Sequence, residues 1–146
     1  MAEETRKNKP TPAAPAPKAA IISWEGDSRD VLKTWPTHVR VDFGHSLREM
    51  QAGRSATLDV RPMTSIGSGV FELKTEDAKT WYRLIYLARI DDVMYVLDCF
   101  EKDKRKTEKK DIHTASARLA LVKQRLMEER RNEKRKQCSE QTRSHH

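Results

Sequence analysis

Three short apolar runs, separated by brief polar connections, limit what this chain can fold into. They are Val70 to Lys74, Trp81 to Ala88 and Val93 to Phe100, and the glycine turn Ile66-Gly67-Ser68-Gly69 precedes them. Each run has the length and the β-branched or aromatic content of a strand. Connections this short join antiparallel neighbours, because a parallel crossover needs a dozen residues or more. Within the first run Phe71 and Leu73 share one face, and Glu72 and Lys74 share the other. The pattern predicts a sheet with one apolar face and at least one charged edge.

Helical patterns flank the runs. Asp27-Ser28 can cap a helix carrying Val31, Leu32 and Trp35. After Pro36, Val39, Phe43, Leu47 and Met50 recur at helical spacing, and Gly53 supplies a C-terminal stop. Ile21-Ile22 reads as a possible edge strand and Leu58 to Val60 as a brief extended piece. Behind the strands, Asp111 can cap a last helix whose seam is Ile112, Ala115, Leu119, Val122 and Leu126. The expected fold is α+β: two N-terminal helices, a small antiparallel sheet of three to four strands, and a C-terminal helix. Phe71, Leu73, Ile85, Leu87, Leu119 and Val122 are expected to share one core between sheet and last helix.

Composition places the ends outside that core. The apolar fraction is 36% of 146 residues, low for a fully packed chain. Residues 1–20, with Pro10, Pro12, Pro15 and Pro17, read as a disordered Pro/Ala-rich arm. Residues 21–127 read as the domain. Residues 128–146 read as a charged, partly disordered tail. No apolar run reaches the ~20 residues of a membrane span, and no signal-peptide pattern opens the chain. The expectation is a cytoplasmic protein. Cys99, in an apolar run, and Cys138, in the tail, lack metal-site spacing.

The formal charge of +7 points to a polyanionic partner, nucleic acid first and an acidic protein second; solubility alone is the plainer account. Arg83 is a lone cation in the strand Trp81-Tyr82-Arg83-Leu84-Ile85-Tyr86. It reads either as a solvated strand residue or as a bidentate phosphate clamp. Lys74 beside Glu72 reads either as half of a surface salt bridge or as a cation at a scissile phosphate. Lys102, Lys104, Arg105 and Lys106 form the densest cationic run ahead of the tail. His38, His45 and His113 are scattered, so no metal or cofactor is expected. P-loop, dinucleotide and nucleophile-elbow motifs are absent.

Four phrases in order then resemble one family. They are Gly67-x-Gly69-x-x-Glu72-Leu73-Lys74, Tyr82-Arg83-Leu84-Ile85-Tyr86, Phe100-x-Lys102-x-x-x-Lys106-Thr107, and Asp111-Ile112 leading into Ala117-Arg118-Leu119. Together they resemble the RelE/ParE toxin superfamily of type II toxin–antitoxin systems, in its phage-derived HigB-like branch. The resemblance spans roughly Ile21 to Leu126. It implies a metal-independent, ribosome-dependent mRNA endoribonuclease, with a cognate antitoxin, mRNA and the ribosome as partners. The alternatives are a non-cleaving toxin of ParE type that binds DNA gyrase, or a domesticated nucleic-acid-binding module on the same fold. Matched by position, Arg83, Lys74, Lys102 and Lys106 are the catalytic candidates, while Arg61, Glu72, Lys104 and Arg105 are the substrate-binding candidates. Lys74 stands where the family usually has arginine. Asp103 replaces the second lysine of a Lys-Lys pair, and Glu108 replaces a proline. Cleavage by the 2′-OH needs a base, an acid and a cation for the phosphorane. A clustered lysine or Glu72 could be the base.

Overall fold

The computed structural model describes residues 19–78, 80–102 and 109–144. The expected Pro/Ala arm, up to residue 18, lies outside the described residues, as do Lys104, Arg105, Lys106 and Thr107.

In chain order the elements are β1 (Ile21–Trp24), α1 (Ser28–Lys33), α2 (Thr37–Gln51), β2 (Asp59–Pro62), β3 (Val70–Asp77), β4 (Thr80–Ile90), β5 (Val93–Lys102) and α3 (Lys109–Ser144). The strands form one sheet in the order β1-β5-β4-β3-β2. This corrects the expected antiparallel sheet of three to four strands: the sheet has five, and it is mixed. β1 runs parallel to β5, with Ile21 opposite Val93 and Trp24 opposite Val96. That pairing is non-local, and α1 and α2 lie in the long crossover that a parallel pair requires. Four residues are too few to display a period of two. β2 is exposed along its whole length, so no apolar alternation marks it. It is an edge strand on β3, where Pro62 is tolerated because an edge leaves ladder positions open.

The strands read from sequence are longer in the fold, because their polar ends also pair: Asp77 with Thr80, and Trp81 with Lys102. Asp91 and Asp92 both have positive φ, 48° and 67°, between paired Ile90 and Val93. This is the two-residue mirror-image turn that matches strand twist. Gly53 sits past the end of α2 at φ 82°. Its N–H reaches Met50 O at 3.0 Å and the N–H of Arg54 reaches Glu49 O at 2.9 Å, the Schellman closure expected there.

The sheet is buried on both faces, not one. Against α1 and α2 lie Leu73, Tyr82, Leu84, Tyr86, Met94 and Val96, packed on Trp35, Val39, Phe43 and Leu47. Trp35 makes ring contacts with Phe43 at 5.0 Å and Tyr82 at 5.2 Å. Against α3 lie Val70, Ile85, Leu87, Tyr95, Leu97 and Phe100, packed on Ala115, Leu119 and Val122. The single core expected for Phe71, Leu73, Ile85, Leu87, Leu119 and Val122 is therefore two: Phe71 and Leu73 face the helix pair, while Ile85 and Leu87 pack with Leu119 and Val122 of α3. Burial on both faces also explains why β4 and β5 read as near-continuous apolar runs.

Three features fasten α3. Gly67 lets the turn before β3 approach it closely; a Cβ there would lie 2.8 Å from Leu119 Cδ2. The Arg118 guanidinium donates to Leu97 O at 2.9 Å, Asp98 Oδ1 at 3.2 Å and Asp27 Oδ1 at 2.7 Å. Asp27 thus binds α3 and makes no side-chain cap on α1. Arg125 pairs with buried Glu25. The last seam residue packed on the sheet is Leu126. α3 nevertheless continues as helix through the stretch read as a tail, to Ser144.

Candidate nucleic-acid interface

Apolar packing gives way to polar residues at one end of the α3-side face. Strand alternation puts Glu72, Lys74 and Glu76 of β3, Trp81 and Arg83 of β4, and Phe100 and Lys102 of β5 on this face. Register lines them up in rows: Arg61 with Glu72; Asp59, Lys74, Arg83 and Phe100; then Glu76, Trp81 and Lys102.

Arg83 lies at the centre and is fully enclosed, as is Glu72. Arg83 Nη1 donates to Glu72 Oε1 at 2.9 Å. Arg61 Nη2 approaches the same oxygen at 3.6 Å from a half-exposed position. Arg83 therefore faces neither solvent nor an open groove, the two settings its sequence context allowed. The floor of the site is an arginine fixed by a buried carboxylate. Above it the indole of Trp81 is contacted by two cations: Lys74 Nζ lies 5.6 Å from the ring centroid and Arg83 Cζ 5.9 Å. Both distances fall within cation–π range. Lys74 and Trp81 are half-buried. Lys102 Nζ, partly exposed, lies 3.3 Å from Oδ2 of buried Asp111, so an ion pair ties the end of β5 to the first turn of the last helix. Asp111, read as a cap, sits instead in the first turn of α3.

The structure thus brings together five of the eight predicted site residues: Arg61, Glu72, Lys74, Arg83 and Lys102. Lys104, Arg105 and Lys106, which follow Lys102 closely in sequence, lie outside the described residues. Sequence reasoning did not single out Trp81. Its signal was the period of two, which places it on the same face as Arg83. Asp59 and Glu76 stand exposed on the same rows and offset the cations. Among the described residues no group of His, Cys, Asp or Glu could hold a metal ion. His38, on the far side in α2, pairs with Asp77 at 3.1 Å.

Behind the site, burial pushes the Asp98 carboxyl up to about 6 against the pull of Arg118. Burial likewise pushes the Cys99 thiol up, which leaves Cys99 a packing residue rather than a nucleophile.

What this arrangement offers is a planar aromatic surface edged by lysine, on a rigid sheet floor. Bases stack on aromatic rings and phosphates pair with lysine, so the chemistry suits a nucleic-acid chain. Residues 30–120 match the family described as Phage derived protein Gp49-like (DUF891). The chain belongs to that family. It is a phage-derived family of RelE-like toxins. No curated protein matches the chain. The match runs from Asp30 in α1 to Ala120 in α3, so it takes in β2 to β5 and the whole candidate site. It leaves out β1 and the distal part of α3. No helix among the described residues is long and apolar enough to cross a membrane.

Proposed function

We propose that this Gp49-like chain is the toxin of a type II toxin–antitoxin pair, of HigB-like type, and that it cuts mRNA on the ribosome. The observation that carries this reading is the placement of Lys74, Trp81 and Lys102 above an arginine locked by Glu72, within the part of the chain that matches the family. In this reading Trp81 stacks a base of the substrate. Lys74 and Lys102, with the cations that follow Lys102, neutralise the phosphorane as the 2′-OH attacks. Arg83 acts through its neighbours: it holds Trp81 and Glu72 in place. Glu72 is enclosed and already binds Arg83, so it serves as a positioning residue and not as the base. The ribosome supplies substrate alignment, which is the larger part of such a rate gain when a site is poor in bases. An acidic antitoxin covers the same face between rounds of activity.

One observation favours a second reading. With Asp59, Glu72 and Glu76 on its rows and Asp111 on Lys102, four carboxylates balance Arg61, Lys74, Arg83 and Lys102 among the described residues. That suits a toxin that binds a protein such as gyrase without cutting. Translating ribosomes programmed with a defined mRNA separate the two. Discrete cleavage on adding the purified chain supports the first reading. Intact mRNA, together with loss of gyrase supercoiling, supports the second.

A further inference from the structure

α3 holds 36 residues, ~54 Å at ~1.5 Å per residue, yet its seam on the sheet ends at Leu126. Beyond that point every side chain described is exposed. Most of the charges there are sorted around the helix, with Lys136 alone among the cations from Arg130 to Lys136 on the far side. At about 100° per residue, Lys123, Arg130, Arg131, Lys134 and Arg135 fall within one arc of about 140°. Met127, 57% exposed, lies in its middle. Glu128 borders the arc. Glu129 and Glu133 continue the opposite meridian, the one that carries Val122 and Leu126 against the sheet.

The five cations span ~18 Å along the axis. Nearer the sheet, two arginines of the same helix are tied down: Arg118 binds Asp27 and Asp98, and Arg125 binds Glu25. Among the described residues no ion pair or hydrogen bond engages the five. A helix that only needed solubility gains most from cations and carboxylates interleaved on every side. Segregation gives up those pairs and concentrates one sign of field on one face.

We infer that the projecting half of α3 is a nucleic-acid-binding arm, whose basic stripe lies along the phosphate backbone of structured RNA. The occupant follows from charge complementarity: a line of closely spaced phosphates meets a line of five unengaged cations, and the exposed Met127 meets sugar or base. The arm lies beyond the family match and apart from the sheet face. It does not depend on whether that face cuts RNA.

The test uses the full chain and a fluorescent RNA hairpin with 2′-O-methyl riboses, which resists cleavage, read by anisotropy across a salt series. The stripe variant carries Lys123→Gln, Arg130→Gln, Arg131→Gln, Lys134→Gln and Arg135→Gln. The control removes as many exposed cations off the stripe, four on α1 and α2 and one on the far side of α3: Arg29→Gln, Lys33→Gln, Arg40→Gln, Arg48→Gln and Lys136→Gln. Glutamine is a good helix former and all ten sites are exposed, so both variants should fold, as circular dichroism will check. The stripe variant is expected to lose at least about tenfold in affinity near physiological salt. Its log–log salt slope should flatten by roughly 3.5 to 4.5 units, as loss of five phosphate contacts requires. The control should keep most of the affinity and slope. Equal losses in the two variants, or none in the stripe variant, would overturn the inference. So would wild-type binding to polyglutamate as tight as to the hairpin, which would assign the stripe to an acidic protein.

Discussion

Arg83 and Glu72 form an ion pair at 2.9 Å with neither side chain exposed to solvent. Adjacent strands β4 and β3 hold them two residues out of register, Glu72 opposite Ile85 and Arg83 opposite Lys74. Each charge leaves water for the sake of the other. Removing one partner strands the other, which costs about 3–5 kcal/mol. Arg83→Met and Glu72→Met should each destabilise the protein by about that much in denaturant unfolding. The double variant should be more stable than either single one. Additive losses in that cycle would show that the two side chains do not depend on each other.

Leu119 is buried between Gly67 and the sheet. Leu119→Ala should lower stability by about 2–5 kcal/mol. An unchanged melting temperature would remove α3 from this face.

Asp98 gives stability a pH dependence. Its carboxyl is raised from the ordinary 3.8 to about 6, mainly by burial. The folded state therefore holds this proton more tightly than the unfolded chain does. Stability is highest below the unfolded value and falls as pH rises from about 4 to about 6, by up to about 3 kcal/mol. Asp98→Asn removes the titration. The melting temperature of the variant, relative to wild type, should rise across that window and level off above it. A constant difference from pH 4 to 7 would place the titration elsewhere.

Much of this was legible in the sequence. The apolar runs of β3, β4 and β5 and the periodic stripe of Val39, Phe43 and Leu47 are local signals, and Gly53 marked its helix end. What escaped was non-local. β1 is a strand because β5, some seventy residues on, offers it an edge. β2 is one because β3 does. Glu72 and Lys74 alternate with apolar neighbours, a pattern that reads as a solvated face. Glu72 is enclosed nonetheless, bound to Arg83. The same pairing hides Arg83. Sequence showed a charge in an apolar strand, and only the packing showed that its partner was inside as well. Trp81 gained a role from its cross-strand neighbours, which its own run did not name.

The central claim is that Lys74, Trp81 and Lys102 handle RNA while Arg83 supports them from within. Primer extension on cellular mRNA after brief induction tests it most directly, with soluble protein checked by circular dichroism. Wild type should give discrete cuts, and Lys33→Ala, remote on α1, should match it. Lys74→Ala should reduce cutting roughly a hundredfold, the usual loss when one stabilising contact to the transition state is removed. Trp81→Ala should weaken it through lost stacking. Cutting at the wild-type rate by a folded Lys74→Ala, Lys102→Ala double variant would contradict the account, as would intact mRNA from the wild type itself.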